Sequence, residues 1–207
     1  GNADYNLWVQ AQYSDLMPVR AANKTIALTT PISFAGQNVA LDNAASQGGL
    51  GLEFAGAVTL NGGVRFSISQ ETHASNKVQG LTISGAITGA GDIIKDGNGS
   101  VVLTNPANTF TGNLLVERGT VTVSGSAGAL NTILATAGSG AIVRSGGVLT
   151  LDNAGANNAA GRLAGRSVLL EGGRLNMVSN AANSTETAAV LRDQIAELEA
   201  GLPEAQA

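Results

Sequence analysis

A short template recurs along most of the chain, and it leaves few folds open. It reads Gly, at most one residue, then apolar-Thr-apolar. Clear copies are Gly56-Ala57-Val58-Thr59-Leu60, Gly80-Leu81-Thr82-Ile83, Gly119-Thr120-Val121-Thr122-Val123 and Gly147-Val148-Leu149-Thr150-Leu151. Weaker copies are Gly99-Ser100-Val101-Val102-Leu103 and Gly173-Arg174-Leu175-Asn176-Met177. The leading glycines at 56, 80, 99, 119, 147 and 173 are spaced 24, 19, 20, 28 and 26 residues apart. Within a copy the apolar residues alternate, which is the pattern of a strand with one buried face. A repeat of this period points to a solenoid. A leucine-rich repeat needs its leucine/asparagine framework and a helix per repeat, and the sequence has neither. A parallel β-helix fits, each coil giving two or three short strands to long parallel sheets.

The densest region runs from Gly80 to Gly125, where runs of about four to six residues are cut by Gly, Asn and Asp turns. One coil cannot bury its apolar side alone, so stability comes from stacking on neighbouring coils. Inward positions want Val, Ile and Leu; outward ones take Thr and Ser; Gly and Asn serve the corners. Asn61, Asn105 and Asn153 follow template strands at similar offsets, which suggests a stacked asparagine corner. Composition agrees: 28 glycines, only 13% charged residues, and Thr, Ser and Asn in the polar positions. At about 4.8 Å per coil, seven or so coils make a rod of roughly 35 Å.

The two ends differ from the middle. Residues 4–13 hold Tyr5, Trp8 and Tyr13, three of the seven aromatics. Tyr5, Leu7, Val9, Ala11 and Tyr13 alternate as in a strand. That strand either caps the first open end of the stack or docks on a neighbouring molecule's edge. Near the other end Ala188, Leu191, Ile195, Leu198 and Leu202 fall at helical spacing, with Gly201 and Pro203 as stop signals. The spacing predicts a short amphipathic α-helix, folded over the last coil or serving as an oligomerisation handle. The expected division is therefore 1–22 as an N-terminal cap or docking strand, 23–183 as the β-helix, and 184–207 as helix and tail. The candidate assembly residues are Tyr5, Trp8, Tyr13, Leu191, Ile195 and Leu198.

Candidate chemistry is sparse. With no cysteine there is no disulfide, zinc-thiolate or cysteine nucleophile. The net charge of −4 and the absence of a basic run argue against nucleic acid as a partner. No run of 18 apolar residues is present, so no membrane-spanning helix is expected. Some β-helices are polysaccharide lyases or hydrolases, which need acids and bases gathered on one outer face. Asp92, Lys95 and Asp96 are the densest such group, and His73 is the lone histidine, in a polar stretch. Asp96-Gly97-Asn98-Gly99-Ser100 looks like half of a calcium loop, but the carboxylate expected seven residues later is missing. No cofactor and no metal is expected.

One stretch resembles a known family. Gly89 to Leu103, reading GAGDIIKDGNGSVVL, is similar to the opening of the autotransporter-associated β-strand repeat (the passenger-associated transport repeat). Asn105-Pro106-Ala107-Asn108-Thr109-Phe110-Thr111-Gly112 resembles that family's asparagine-Thr-aromatic-Thr-Gly corner, and Leu114 to Val121 its closing strands. One full unit is covered at about residues 87–123. The Gly-Gly coils at Gly146-Gly147 and Gly172-Gly173 resemble those that follow such repeats in large surface proteins. The resemblance implies an all-β, right-handed parallel β-helix (β-solenoid), secreted or displayed at the bacterial cell surface, without enzymatic activity. It implies a structural stalk or adhesive passenger module. Its partners are then other passenger segments, cell-surface components, or further copies of itself stacked end to end in a filament. The family's passengers continue into a membrane barrel of about twelve strands, which is not seen here, so the chain reads as a fragment, a cleaved passenger or a free-standing secreted relative. The alternative is a glycan-binding or polysaccharide-degrading β-helix.

Overall fold

The computed structural model describes residues 7–9, 24–41, 50–69, 78–125, 140–154, 161–179 and 191–193. Eighteen short strands are found there. In chain order they begin with β1 (Leu7–Val9), β2 (Lys24–Leu28), β3 (Ile32–Phe34), β4 (Asn38–Leu41), β5 (Leu50–Phe54) and β6 (Val58–Leu60). They continue with β7 (Val64–Ile68), β8 (Val78–Ile83), β9 (Ile87–Gly89), β10 (Ile93–Asp96), β11 (Ser100–Leu103) and β12 (Leu114–Val116). The last six are β13 (Gly119–Val123), β14 (Gly140–Arg144), β15 (Gly147–Asp152), β16 (Ser167–Glu171), β17 (Arg174–Val178) and β18 (Leu191–Asp193).

These strands form three parallel sheets. The first face is eight-stranded, in the order β1-β4-β7-β10-β12-β14-β16-β18. The second is seven-stranded, β17-β15-β13-β11-β8-β5-β2, and the third is β3-β6-β9. Through β9 the chain visits the three faces in rotation, and from β10 on the described strands alternate between the first and second, so each strand pairs with the one laid down a coil earlier. The result is a parallel β-solenoid. A parallel pair needs a long crossover; here the other two faces supply it.

Alternation decides what fills the core. On the second face Leu52, Leu81, Val101, Val121 and Leu149 stack in register and are buried. Phe34, Phe54 and Phe66 come one from each face and meet inside, with ring centroids 5.9 to 6.3 Å apart. Such tilted and edge-on pairs are favourable arrangements. At the last strand of the second face Met177 keeps the inward register of Leu151 but is 49% exposed, because no described strand covers it.

The corners explain the polar and glycine positions of the repeat. Gly91 lies so close to Gly62 that an added Cβ would overlap the Gly62 carbonyl oxygen. At Asn105 and Asn108 the chain turns between the second and third faces. Asn105 donates Nδ2 to the Ser84 carbonyl (2.6 Å), one coil back. Asn108 is buried; its Oδ1 accepts the Ile87 amide (3.0 Å) and its Nδ2 donates to the Asn105 carbonyl (3.0 Å). Thr109 N then bonds Ile87 O and Thr111 N bonds Gly89 O, which extends the third face beyond β9 without a regular strand.

Two arginines close that face. Residues 161–166 form turns, and the buried Arg166 donates to the Gly112 (2.9 Å) and Phe110 (2.6 Å) carbonyls, with its guanidinium 4.3 Å from the Phe110 ring centroid. Arg162 donates to Asn153 Oδ1 (2.5 Å) and Gly125 O (2.8 Å). The two guanidinium groups thus satisfy oxygens of residues 9 to 56 positions away in the sequence. Burial pulls Arg166 down to about 10.

Two expectations need correction. Leu191–Asp193, expected in a helix, is a strand paired with Val168–Leu170. The register of the solenoid overrides the helical spacing there, since tertiary pairing outweighs a weak local preference. The rest of the expected helix, with Ile195 and Leu198, lies outside the described residues. The asparagine corner also splits: Asn105 and Asn153 leave the second face two residues beyond Leu103 and Leu151, which flank Val123 in register, whereas Asn61 leaves the third face.

Candidate interaction surface

The first face carries the densest array of outward charges, and alternation places it there. Lys95, Val116 and Val143 point inward in register, so their neighbours Asp96, Glu117 and Arg144 point outward. Glu171 follows, paired with Arg144. Asp96 and Glu117 are adjacent carboxylates on neighbouring coils, a repulsive placement. Arg65 relieves it from the row beside: its Nη1 reaches Asp96 Oδ2 at 3.3 Å and Glu117 Oε2 at 2.6 Å. Arg144 continues the ladder, to Glu117 Oε1 at 3.2 Å and Glu171 Oε2 at 3.0 Å. The hydrogen bond to Glu117 raises Arg65 above its usual range, with burial opposing. Asp96, Glu117, Arg118, Arg144, Ser145 and Glu171 line a shallow, open concavity.

Beside the charged row runs an aliphatic one. Ile94, Leu115, Ile142 and Leu169 are in register on four consecutive strands, face outward, and are half-buried. On the far side Asp92, Asn113 and Gly140 form a hydrogen-bonded line, Asn113 N to Asp92 Oδ1 at 2.7 Å and Gly140 N to Asn113 Oδ1 at 3.0 Å.

The group Asp92, Lys95 and Asp96 does not converge. The two acids lie on the outside, while Lys95 is inside and fully buried. Its Nζ donates to the carbonyls of Asp96 (2.7 Å), Gly97 (2.6 Å) and Arg118 (3.1 Å). Burial pulls this ammonium down to about 8, with Asp96 opposing. The lysine ties a corner together and presents nothing to solvent. His73 lies outside the described residues. Among those residues no group of three or more His, Cys, Asp or Glu could hold a metal ion, and no helix is long and apolar enough to cross a membrane.

Of the candidate assembly residues, Trp8 falls in β1, in register with Ala40, and Leu191 falls in β18, in register with Val168. Tyr5, Tyr13, Ile195 and Leu198 lie outside the described residues. Sequence reasoning missed the ladder of Arg65, Glu117, Arg144 and Glu171. Its members are 27 or more residues apart. The available signal was their shared outward position one coil apart, visible only once the register is known.

Comparison with known proteins finds one relevant similarity. A stretch of 97 residues, 45% of this chain, is 32% identical to the "Adhesin BmaC autotransporter" of Brucella suis biovar 1 (strain 1330). The chain spans about 3% of that protein's length. No family model matches the chain, and no solved structure matches it.

Proposed function

We propose that this chain is a non-enzymatic segment of an autotransporter passenger, displayed at or released from a bacterial cell surface, where it serves as stalk or adhesive module. The observation that carries this is the conjunction of a parallel β-solenoid with 32% identity to an autotransporter adhesin over 97 residues. The motif of the autotransporter-associated repeat supports it. Lys95, Asn105 and Asn108 all spend their polar atoms on neighbouring backbone, as a load-transmitting stack requires. We take the coil to be right-handed, as parallel crossovers almost always are.

The same reading includes end-to-end association, with other passenger segments, cell-surface components or further copies as partners. Support comes from β2 and β17, which end the second face among the described strands, and from the half-exposed Met177, since a sheet edge is a template for another strand. Surface display of the chain in a non-adherent bacterium tests the adhesive role. Increased attachment to host cells, competed by the purified chain, is the expected result. Attachment no better than that of a bare display scaffold would sink it, and cleavage in a polysaccharide screen would redirect the assignment to an enzyme.

A further inference from the structure

Among cations whose side chains are described, those at the surface are gathered in one place. Lys95, Arg162 and Arg166 are buried. The others, Arg65, Arg118, Arg144 and Arg174, lie at or reach the corner where the first face turns into the second. The chain as a whole carries a net charge of −4, so this clustering is not a general excess of base.

Arg65 and Arg144 are committed to Asp96, Glu117 and Glu171. Arg118 and Arg174 are not. Both are exposed, and among the described residues neither side chain makes an ion pair or a hydrogen bond. Arg118 runs over the Ser145-Gly146 turn, where a Cβ at Gly146 would lie 3.9 Å from its Cγ. Arg174 opens β17, in register with Val148 and two coils on from Arg118, a rise of roughly 10 Å.

We propose that this corner binds an acidic polysaccharide with carboxylates on alternate sugars. Arg118 and Arg174 take the carboxylates, since a planar guanidinium matches that group with two parallel hydrogen bonds. Glu117, Glu171 and Ser145, which line the concavity with Arg118, accept hydrogen bonds from the hydroxyls between. The same acids select against a denser polyanion: duplex DNA carries a charge per about 1.7 Å of axis and would set phosphates against them. No aromatic side chain lines the concavity to stack a base. The inference rests on the adhesive reading above and names its partner class.

The test is retention of the full chain on immobilised hyaluronate, which carries a carboxylate on every second sugar, with duplex DNA and neutral dextran as comparisons. Hyaluronate should retain the chain at low salt and release it as salt rises; DNA and dextran should not retain it. Arg118→Gln and Arg174→Gln should each weaken retention about tenfold and leave the melting temperature unchanged, because neither side chain has a partner to lose. Arg118→Lys, which keeps the charge but not the planar fork, should fall between. A hyaluronate column that retains nothing, retention unmoved by Arg118→Gln, or equal retention on DNA or dextran would each overturn the proposal. The two readings fail separately. Displayed chain that promotes attachment equally well with both arginines replaced by Gln would sink this inference and keep the adhesive role. Hyaluronate retention by a chain that promotes no attachment would do the reverse.

Discussion

Lys95 donates its ammonium to the backbone carbonyl of Arg118, 23 residues on and 3.1 Å away. One side chain therefore ties a corner to the coil stacked upon it. The cost is a buried cation, and pH should reveal it. In the folded chain Lys95 titrates at about 8, below its usual 10.5, so between those values the unfolded state binds the extra proton. This group's contribution to stability must then rise with pH across that window. In urea melts, wild type should gain on Lys95→Met from pH 8 to 10.5. A constant difference between them would refute the assignment.

Asn108 occupies an inward position that Ile87 holds one coil earlier, and its side chain accepts the Ile87 amide and donates to the Asn105 carbonyl there. Asn108→Leu supplies apolar volume but strands the Ile87 amide. A loss of about 1–3 kcal/mol is expected from the urea midpoint, the usual cost of an unsatisfied buried donor. A neutral result would mean the amide finds another partner.

Gly91 and Gly63 lie one coil apart near the same corner, yet they should respond differently to alanine. At Gly91 a Cβ would overlap the Gly62 carbonyl oxygen, while at Gly63 the nearest atom is 3.8 Å away. Gly91→Ala should cost about 1–3 kcal/mol or more through backbone displacement, and Gly63→Ala well under that. Equal thermal shifts for the two would contradict the stacking at this corner.

The ion ladder should matter little to folding. Glu117 joins Arg65 and Arg144, but all three side chains are 25–45% exposed. Exposed pairs contribute about 0–1 kcal/mol and are screened by salt. Glu117→Gln should lower stability by less than about 1 kcal/mol at low salt, with the difference shrinking as salt is added. A larger, salt-independent loss would give Glu117 a structural role beyond the ladder.

Much of the architecture was legible in the residues. Val121 and Val123, or Leu149 and Leu151, announce a buried face by their spacing alone, and the recurring Gly-apolar-Thr-apolar template announces stacking. The corner residues were legible only as a motif. Nothing local says that Lys95 turns inward, because a lysine between Ile94 and Asp96 reads as surface. Arg162 and Arg166 were invisible for the same reason, since their partners, Gly125, Phe110 and Gly112, lie 37 to 56 residues away. Leu191 misled in the opposite sense: its helical spacing is real, but in the described strand the pairing with Val168 prevails.

The sequence by itself determined the strand period, the corner residues and hence the solenoid, because alternation and turn chemistry act over a few neighbouring residues. The tertiary structure alone decided which side chains meet. Register brings Arg65 to Glu117, Arg144 to Glu171, and Ile94 to Leu115, and it depends on how many residues each coil spends between faces. That count varies from coil to coil, so no fixed sequence interval encodes those contacts.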